Sequence, residues 1–141
     1  MPPEVIRRQE FPIRIEDDVF VVRRAVRALA EASGFDKFAV AALTTAASEL
    51  ARNTFCHGRG GVAVIEEVRD NGRQGLSVEF KDEGPGIADL PRVLAGGFST
   101  VRSLGLGVSG SRRLVDDFSI TSEVGEVGHG TCVVIRKWKR F

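Results

Sequence analysis

The chain has 141 residues, 43% apolar and 28% charged, enough for one globular domain with a single core. A formal net charge of +1 excludes a nucleic-acid binder held by bulk charge, and two cysteines without CxxC spacing exclude a disulfide framework or a zinc ribbon. The amino terminus lacks the apolar core of a signal peptide, and the longest apolar-leaning run, Phe38 to Ala47, is too short to span a bilayer, so the expectation is a cytoplasmic protein with no membrane and no nucleic-acid partner.

Phe11, Ile13 and Ile15 alternate with other residues and predict a first strand, which Pro12 places at a sheet edge. Asp17 and Asp18 are both N-cap candidates for a helix on which Val19, Val22, Val26, Leu29 and Ala30 recur at helical steps. Arg23, Arg24 and Arg27 lie on its other side, and Gly34 ends it. Asp36 can cap a second helix running to about His57, with Ala39, Ala42, Leu43, Ala46, Ala47 and Leu50 as its apolar side; Gly58, Gly60 and Gly61 break it. Val62 to Val68 predicts a strand, Asn71-Gly72 a hairpin turn, and Leu76, Val78 and Phe80 a returning strand that ends near Lys81.

An irregular turn follows over 82–87, then the start of a short helix at Asp89, Leu90 and Pro91. Of the 16 glycines, half fall between Gly96 and Gly130, so that stretch needs tight turns or close backbone approach to something. Within it, 96–107 reads as a flexible loop. A helix to Asp117 starts at Ser109 or Gly110, with Gly105 as an alternative start. Phe118 to Ser122 and Thr131 to Trp138 read as strands around a turn over 125–130, with Cys132, Val134 and Arg136 on one side of the last. The hairpins argue for a mostly antiparallel or mixed sheet, and the helices need one face of it to bury their apolar stripes. The expected architecture is α+β, a two-layer sandwich with helices on one face, forming one domain over 1–141.

Three short patterns carry chemistry. Glu49 and Asn53, four apart on the second helix, project from one face; a hydrated Mg²⁺ with phosphate oxygens would satisfy both, whereas an exposed polar helix edge would explain them without a ligand. Asp82-x-Gly84-x-Gly86 follows a strand directly. Its glycines permit close approach by a flat ligand, and its carboxylate can accept a hydrogen bond from an exocyclic amine; a plain Gly/Pro loop is the bland alternative. Gly105-Leu106-Gly107-Val-Ser-Gly110 matches GxGxxG, but no good strand precedes it, so a lid whose amides face phosphates fits better than a dinucleotide fold.

In combination, and in this order, these patterns resemble the GHKL (Bergerat-fold) ATPases. Residues 48–57 look like the family's N box, 82–87 like its first glycine box, 104–107 like its second glycine box and lid, and Gly130-Thr131 like its terminal Gly-Thr. Among small single-domain members, residues 97–100 followed by 104–119 look most like the RsbT-type switch kinases, a branch of the anti-sigma-factor kinases. The resemblance implies a cytoplasmic serine/threonine kinase of a bacterial stress switch, using ATP and Mg²⁺. It would phosphorylate a STAS-domain partner and then activate a PPM-type phosphatase by binding.

Carried over residue by residue, the resemblance implies that Asn53 holds Mg²⁺ and that Asp82 reads adenine with support from Thr131. Gly84 and Gly86 would shape the base pocket, and Gly105, Leu106 and Gly107 would wrap the phosphates. Glu49 would be the general base, with Arg52 and Arg102 as candidates for phosphate or partner contacts. His57 also fits the anti-sigma kinases, so nucleotide-dependent binding of a sigma factor is the competing function. Members of this class often pair, so a homodimer is a further expectation.

Overall fold

The computed structural model describes residues 3–56, 59–82, 84, 110–123 and 130–140. Among these residues five strands form one sheet: β1 (Glu4–Ile13), β2 (Gly61–Asp70), β3 (Arg73–Asp82), β4 (Asp117–Glu123) and β5 (Gly130–Trp138), in the spatial order β1-β2-β3-β5-β4. Every pairing is antiparallel, which settles the expectation of a mostly antiparallel or mixed sheet. Two helices, α1 (Glu16–Ala32) and α2 (Lys37–Cys56), form an antiparallel pair that covers one face. Residues 110–114 are also helical.

Local chemistry explains most boundaries. α1 buries Val19, Val22, Val26, Leu29 and Ala30, the stripe its periodicity predicts. Its N-cap is Ile15, not Asp17 or Asp18. Ile15 has no side-chain acceptor, and the Asp18 carboxylate instead reaches back to accept the N–H groups of Arg14 and Ile15 at 2.8 and 3.0 Å. These bonds lower the Asp18 pKa, because they favour the charged form. At the other end Phe35 N–H bonds to Ala30 O and Gly34 N–H to Glu31 O, with Gly34 at φ +84: a Schellman closure that turns the chain straight into α2. Asp36 caps α2 as expected, its Oδ1 accepting Ala39 N–H at 2.8 Å.

Three spans differ from the sequence reading. β1 begins at Glu4 and ends at Ile13, because charged Arg7, Arg8 and Glu10 pair with β2 where no apolar alternation marks a strand. Glu66 and Glu67 of β2 face these arginines, which supplies the charge match that propensity lacks. Asp117 opens β4 and does not close a helix. β2 extends to Gly61 and Asp70, so that Asn71 and Gly72, both at positive φ, form a two-residue hairpin. The short helix expected at 89–91, the loop over 96–107 and the turn over 125–130 lie, apart from Gly130, outside the described residues.

The core fills the space between the helices and the sheet. Leu43, Leu50, Ile65, Leu76, Phe80 and Ile135 are fully buried there, each contributing about 1.5–3 kcal/mol relative to exposure. Small residues on α2, Ala46, Ala47 and Ala51, have no exposed surface and let the helix lie close to the strands. On the opposite sheet face, cross-strand register aligns Ser77 with Arg136, Glu79 with Val134 and Lys81 with Cys132. Burial and the neighbouring Glu79 raise the Cys132 thiol pKa.

Candidate nucleotide site

The site grows from one transverse row of residues at the end of the sheet. Ile13 pairs with Gly61 and Gly61 with Asp82; Thr131 is next in register, and it pairs with Ser122 on β4. Paired residues present their side chains on one face, here the face under the helices. Asp82 is half-buried at the last position of β3, and its Oδ1 accepts two backbone N–H groups, from Gly84 at 2.9 Å and from Thr131 at 3.2 Å. The first contact forms the turn that leaves β3, and the second locks β5 to it. The Thr131 and Ser122 hydroxyls are 2.9 Å apart, and Ser122 Oγ is 3.1 Å from the Gly130 carbonyl.

Gly61 has to be glycine: a Cβ there would lie 1.9 Å from the Lys81 carbonyl oxygen. Gly60, at φ +95, donates its N–H to Thr54 O and so ties the carboxyl end of α2 to the same row. Thr54 is buried and donates its hydroxyl to Leu50 O at 2.9 Å, which fixes the last turn of the helix.

Glu49 and Asn53 stand on α2 just before that turn. Glu49 is exposed and Asn53 half-buried. The Asn53 amide nitrogen is sealed from solvent and has no hydrogen-bond partner. A buried unpaired amide costs about 1–3 kcal/mol and is rare in folded proteins. Asn53 is thus less exposed than a plain polar helix edge, whereas Glu49 is as exposed as that alternative expects. Mg²⁺, which takes oxygen ligands and keeps waters, would be held by the Asn53 amide oxygen beside the Glu49 carboxylate; the sealed Nδ2 is a donor and does not ligate a cation. Among the described residues no group of three or more His, Cys, Asp or Glu could hold a metal, so a carboxylate-rich cage is absent there.

Gly84 sits beside Asp82, and Ser111, just past the glycine-rich run, is buried with its Oγ 3.4 Å from Ala46 O on α2, one turn before Glu49. Lys137 Nζ donates to Leu114 O at 3.2 Å and fastens the end of that helical stretch to β5. Gly86, Gly105, Leu106, Gly107, His57 and Arg102 lie outside the described residues. The structure thus brings Glu49, Asn53, Asp82, Gly84 and Thr131 to one end of the sandwich. Sequence reasoning missed Ser122, Ser111 and Thr54; Ser122 and Thr54 could have been found only as neighbours of Thr131 and Asn53.

Arg23 and Arg27 are exposed. With Glu31, Lys37, Thr44 and Thr45 they line a groove of about 470 Å³ along the outer side of the helix pair. The Thr44 hydroxyl there is buried without a partner. No helix among the described residues is long and apolar enough to cross a membrane.

Residues 11–137 match the histidine kinase-like ATPase domain. The chain belongs to that family. It is 42% identical over 128 residues to the serine/threonine-protein kinase RsbT of Bacillus subtilis, covering 91% of this chain and 94% of RsbT. It is accordingly an RsbT-type serine/threonine kinase with the ATP-binding fold of its family. Two solved structures share the fold at low identity. One contains the RsbU and RsbW domains of Rv1364c from Mycobacterium tuberculosis (TM-score 0.60, 20% identity); it covers all of this chain, which spans 34% of that longer one. The other is the SiaB–SiaC complex of Pseudomonas aeruginosa, at TM-score 0.56 and 13% identity, covering 95% of this chain and 90% of its match.

Proposed function

We propose that this kinase moves the γ-phosphoryl group of Mg·ATP to a serine or threonine hydroxyl on a STAS-domain partner, as one step of a bacterial stress-response partner switch. The observation that carries the proposal is the four-residue spacing on one helix of an exposed carboxylate, Glu49, and a half-buried amide, Asn53, near the end of α2 that Gly60 ties to the Asp82 row. Phosphoryl transfer asks the protein mainly for positioning and charge neutralisation. Asn53 would hold Mg²⁺, whose contribution when bound is to neutralise phosphate charge. Asp82 would accept the adenine amine, with Thr131 beside it. Gly84 and Gly86 would leave room for the base, and Gly105, Leu106 and Gly107 would present backbone N–H groups to the phosphates.

Glu49 would take the proton from the acceptor hydroxyl. Its exposure suits that role, because the acceptor arrives on another protein. The groove beside it supplies a docking surface: Thr45, one turn before Glu49 on α2, lines it together with Arg23 and Arg27, and its excess of positive charge fits an acidic partner surface. A PPM-type phosphatase is the second partner in this reading, activated by binding once the first partner is phosphorylated.

The test is transfer of labelled γ-phosphate from Mg·ATP to each STAS-domain protein of the same genome. Glu49→Gln is expected to bind ATP as the parent does and to transfer about 10²- to 10⁴-fold more slowly. Undiminished transfer by that variant removes Glu49 as the base. If ATP binds but no STAS partner takes label, the alternative function gains: nucleotide-dependent binding of a sigma factor.

A further inference from the structure

We infer that the Arg73 end of the sheet is a docking surface for the acidic face of a partner protein that the kinase binds without phosphorylating. The inference rests on the proposed function in one respect: that reading supplies such a partner, the PPM-type phosphatase.

Two cavities, of about 620 and 650 Å³, open at this end and share Lys139 and Arg140 in their walls. Five cations line them: Arg69, Arg73, Arg136, Lys139 and Arg140. Only Arg140 reaches a carboxylate, that of Asp116 at 3.7 Å. Among the described residues none forms an ion pair with the other four. Three carboxylates share the walls, Asp70, Asp116 and Asp117, and two of them turn oxygens to the N–H groups of Trp138. Positive charge is therefore in excess here, and the local excess is larger than the +1 of the entire chain. Arg69, Arg73 and Arg140 are exposed. They stand on a rigid frame: the Asn71-Gly72 hairpin joins β2 to β3, Lys139 N–H bonds to Gln74 O at 2.7 Å, and Arg73 rests on the indole. Charges held in place lose little freedom when a partner binds.

Position and chemistry select the occupant. Ten residues of β3 run from Arg73 to Asp82, about 30 Å at the rise of a strand. A protein seated at Arg73 leaves the Asp82 row uncovered and brings no hydroxyl to it, which suits a partner that is bound and activated and not one that is phosphorylated. Cations interspersed with carboxylates match an acidic protein face, where each charge has a counterpart. They suit nucleic acid less, because the carboxylates repel its phosphates and the Trp138 ring, 9% exposed and covered by Arg73, offers no free face for a base.

The experiment measures association and dissociation of the full chain with each PPM-type phosphatase of the same genome, at low and at high salt. The parent is compared with the doubly charge-reversed Arg69→Glu/Lys139→Glu and with the conservative Arg69→Lys. Neither residue is in an ion pair or in the nucleotide site, so thermal melting, ATP binding and phosphotransfer are expected to match the parent. The reversed variant is expected to bind the phosphatase about tenfold more weakly at low salt, mainly through slower association, with the gap closing at high salt; Arg69→Lys should bind as the parent does. Equal binding by parent and reversed variant overturns the inference and leaves the phosphatase in the proposed function. A parent that binds none of these phosphatases removes that partner and the inference together, while label transfer to a STAS-domain protein still tests the kinase reading by itself. Loss of ATP binding or phosphotransfer in the reversed variant also overturns the inference, since the surface would then serve the nucleotide site. So does capture of the parent, and not of the variant, by a DNA duplex or by phosphatidylserine vesicles with phosphatase binding unchanged.

Discussion

At the Arg73 end of the sheet, Trp138 closes the structure over its neighbours. Its backbone N–H goes to Asp116 at 2.7 Å, its indole N–H goes to Asp117 at 3.0 Å, and Arg73 stacks 4.2 Å from the ring centroid. Gly75 lies so close beneath that an added Cβ would meet the indole at 2.7 Å. At the Asp82 end the backbone is equally constrained, by Gly60, Gly61 and the Asp82 turn, but the side chains are not closed off in this way. Glu49 is exposed, and the Asn53 amide is buried without a partner. The first end has one comparable orphan, Arg136 Nε, on a guanidinium 5.8 Å from the same indole and so held by the ring. One end of the sheet thus uses its polar side chains to close the fold, and the other leaves a carboxylate exposed and an amide N–H unpaired. The contrast can be broken by mutation at either end.

The largest stability effect is expected from Trp138→Ala. Trp138 is 9% exposed, and its removal leaves a cavity over Gly75 and takes the indole N–H from Asp117 and the ring face from Arg73, while the backbone N–H to Asp116 is kept. Loss of about 3–5 kcal/mol is expected, read as a lower urea midpoint at an unchanged denaturant slope. ATP affinity of the molecules that remain folded should not change, because the ring lies at the far end of β3 and β5 from Asp82 and Thr131. A loss of affinity as large as the loss of stability would show that the two ends are coupled and would dissolve the contrast.

Asn53→Ala should act in the opposite sense. Removing an amide nitrogen that is buried without a partner is expected to raise stability by about 1 kcal/mol, less what the lost packing of the carboxamide costs. The same change should abolish Mg²⁺-dependent nucleotide binding. Thermal melts with and without Mg·ATP separate the two: the apo transition rises, and the ligand-induced shift disappears. An apo transition several degrees lower would mean that Asn53 serves the fold.

What was legible in the sequence follows the same division. The α1 stripe, the Asp36 cap, the Gly34 closure and the Asn71-Gly72 hairpin are decided by neighbours within a few residues, and each stands where periodicity or turn chemistry places it. The first half of β1 was not legible. Its strand character comes from Glu66 and Glu67, almost sixty residues away, facing Arg8 and Arg7. The N-cap of α1 was misplaced for a subtler reason: Asp18 does cap, but by reaching back from inside the first turn. In the site, Glu49, Asn53 and Asp82 were visible because spacing on a helix and a glycine turn are local patterns. Ser122 was not, since its significance lies in a hydroxyl contact across two strands.

The smallest expected effect concerns that reaching-back cap, which belongs to neither end and so calibrates both. Asp18 is partly exposed, and the N–H groups of Arg14 and Ile15 hold its pKa below the usual 3.8. A lowered folded-state pKa means that the unfolded chain binds the proton more tightly. The stabilisation is therefore complete above about 3.8, where both states are ionised, and it fades as the pH falls through the folded value. Comparing urea midpoints of the parent and Asp18→Ala should give a modest gap at pH 7 that narrows once the pH drops below that range. A gap that stays constant into acid would assign the stabilisation to packing of the side chain and not to its charge, and would show that the first turn of α1 holds without its carboxylate.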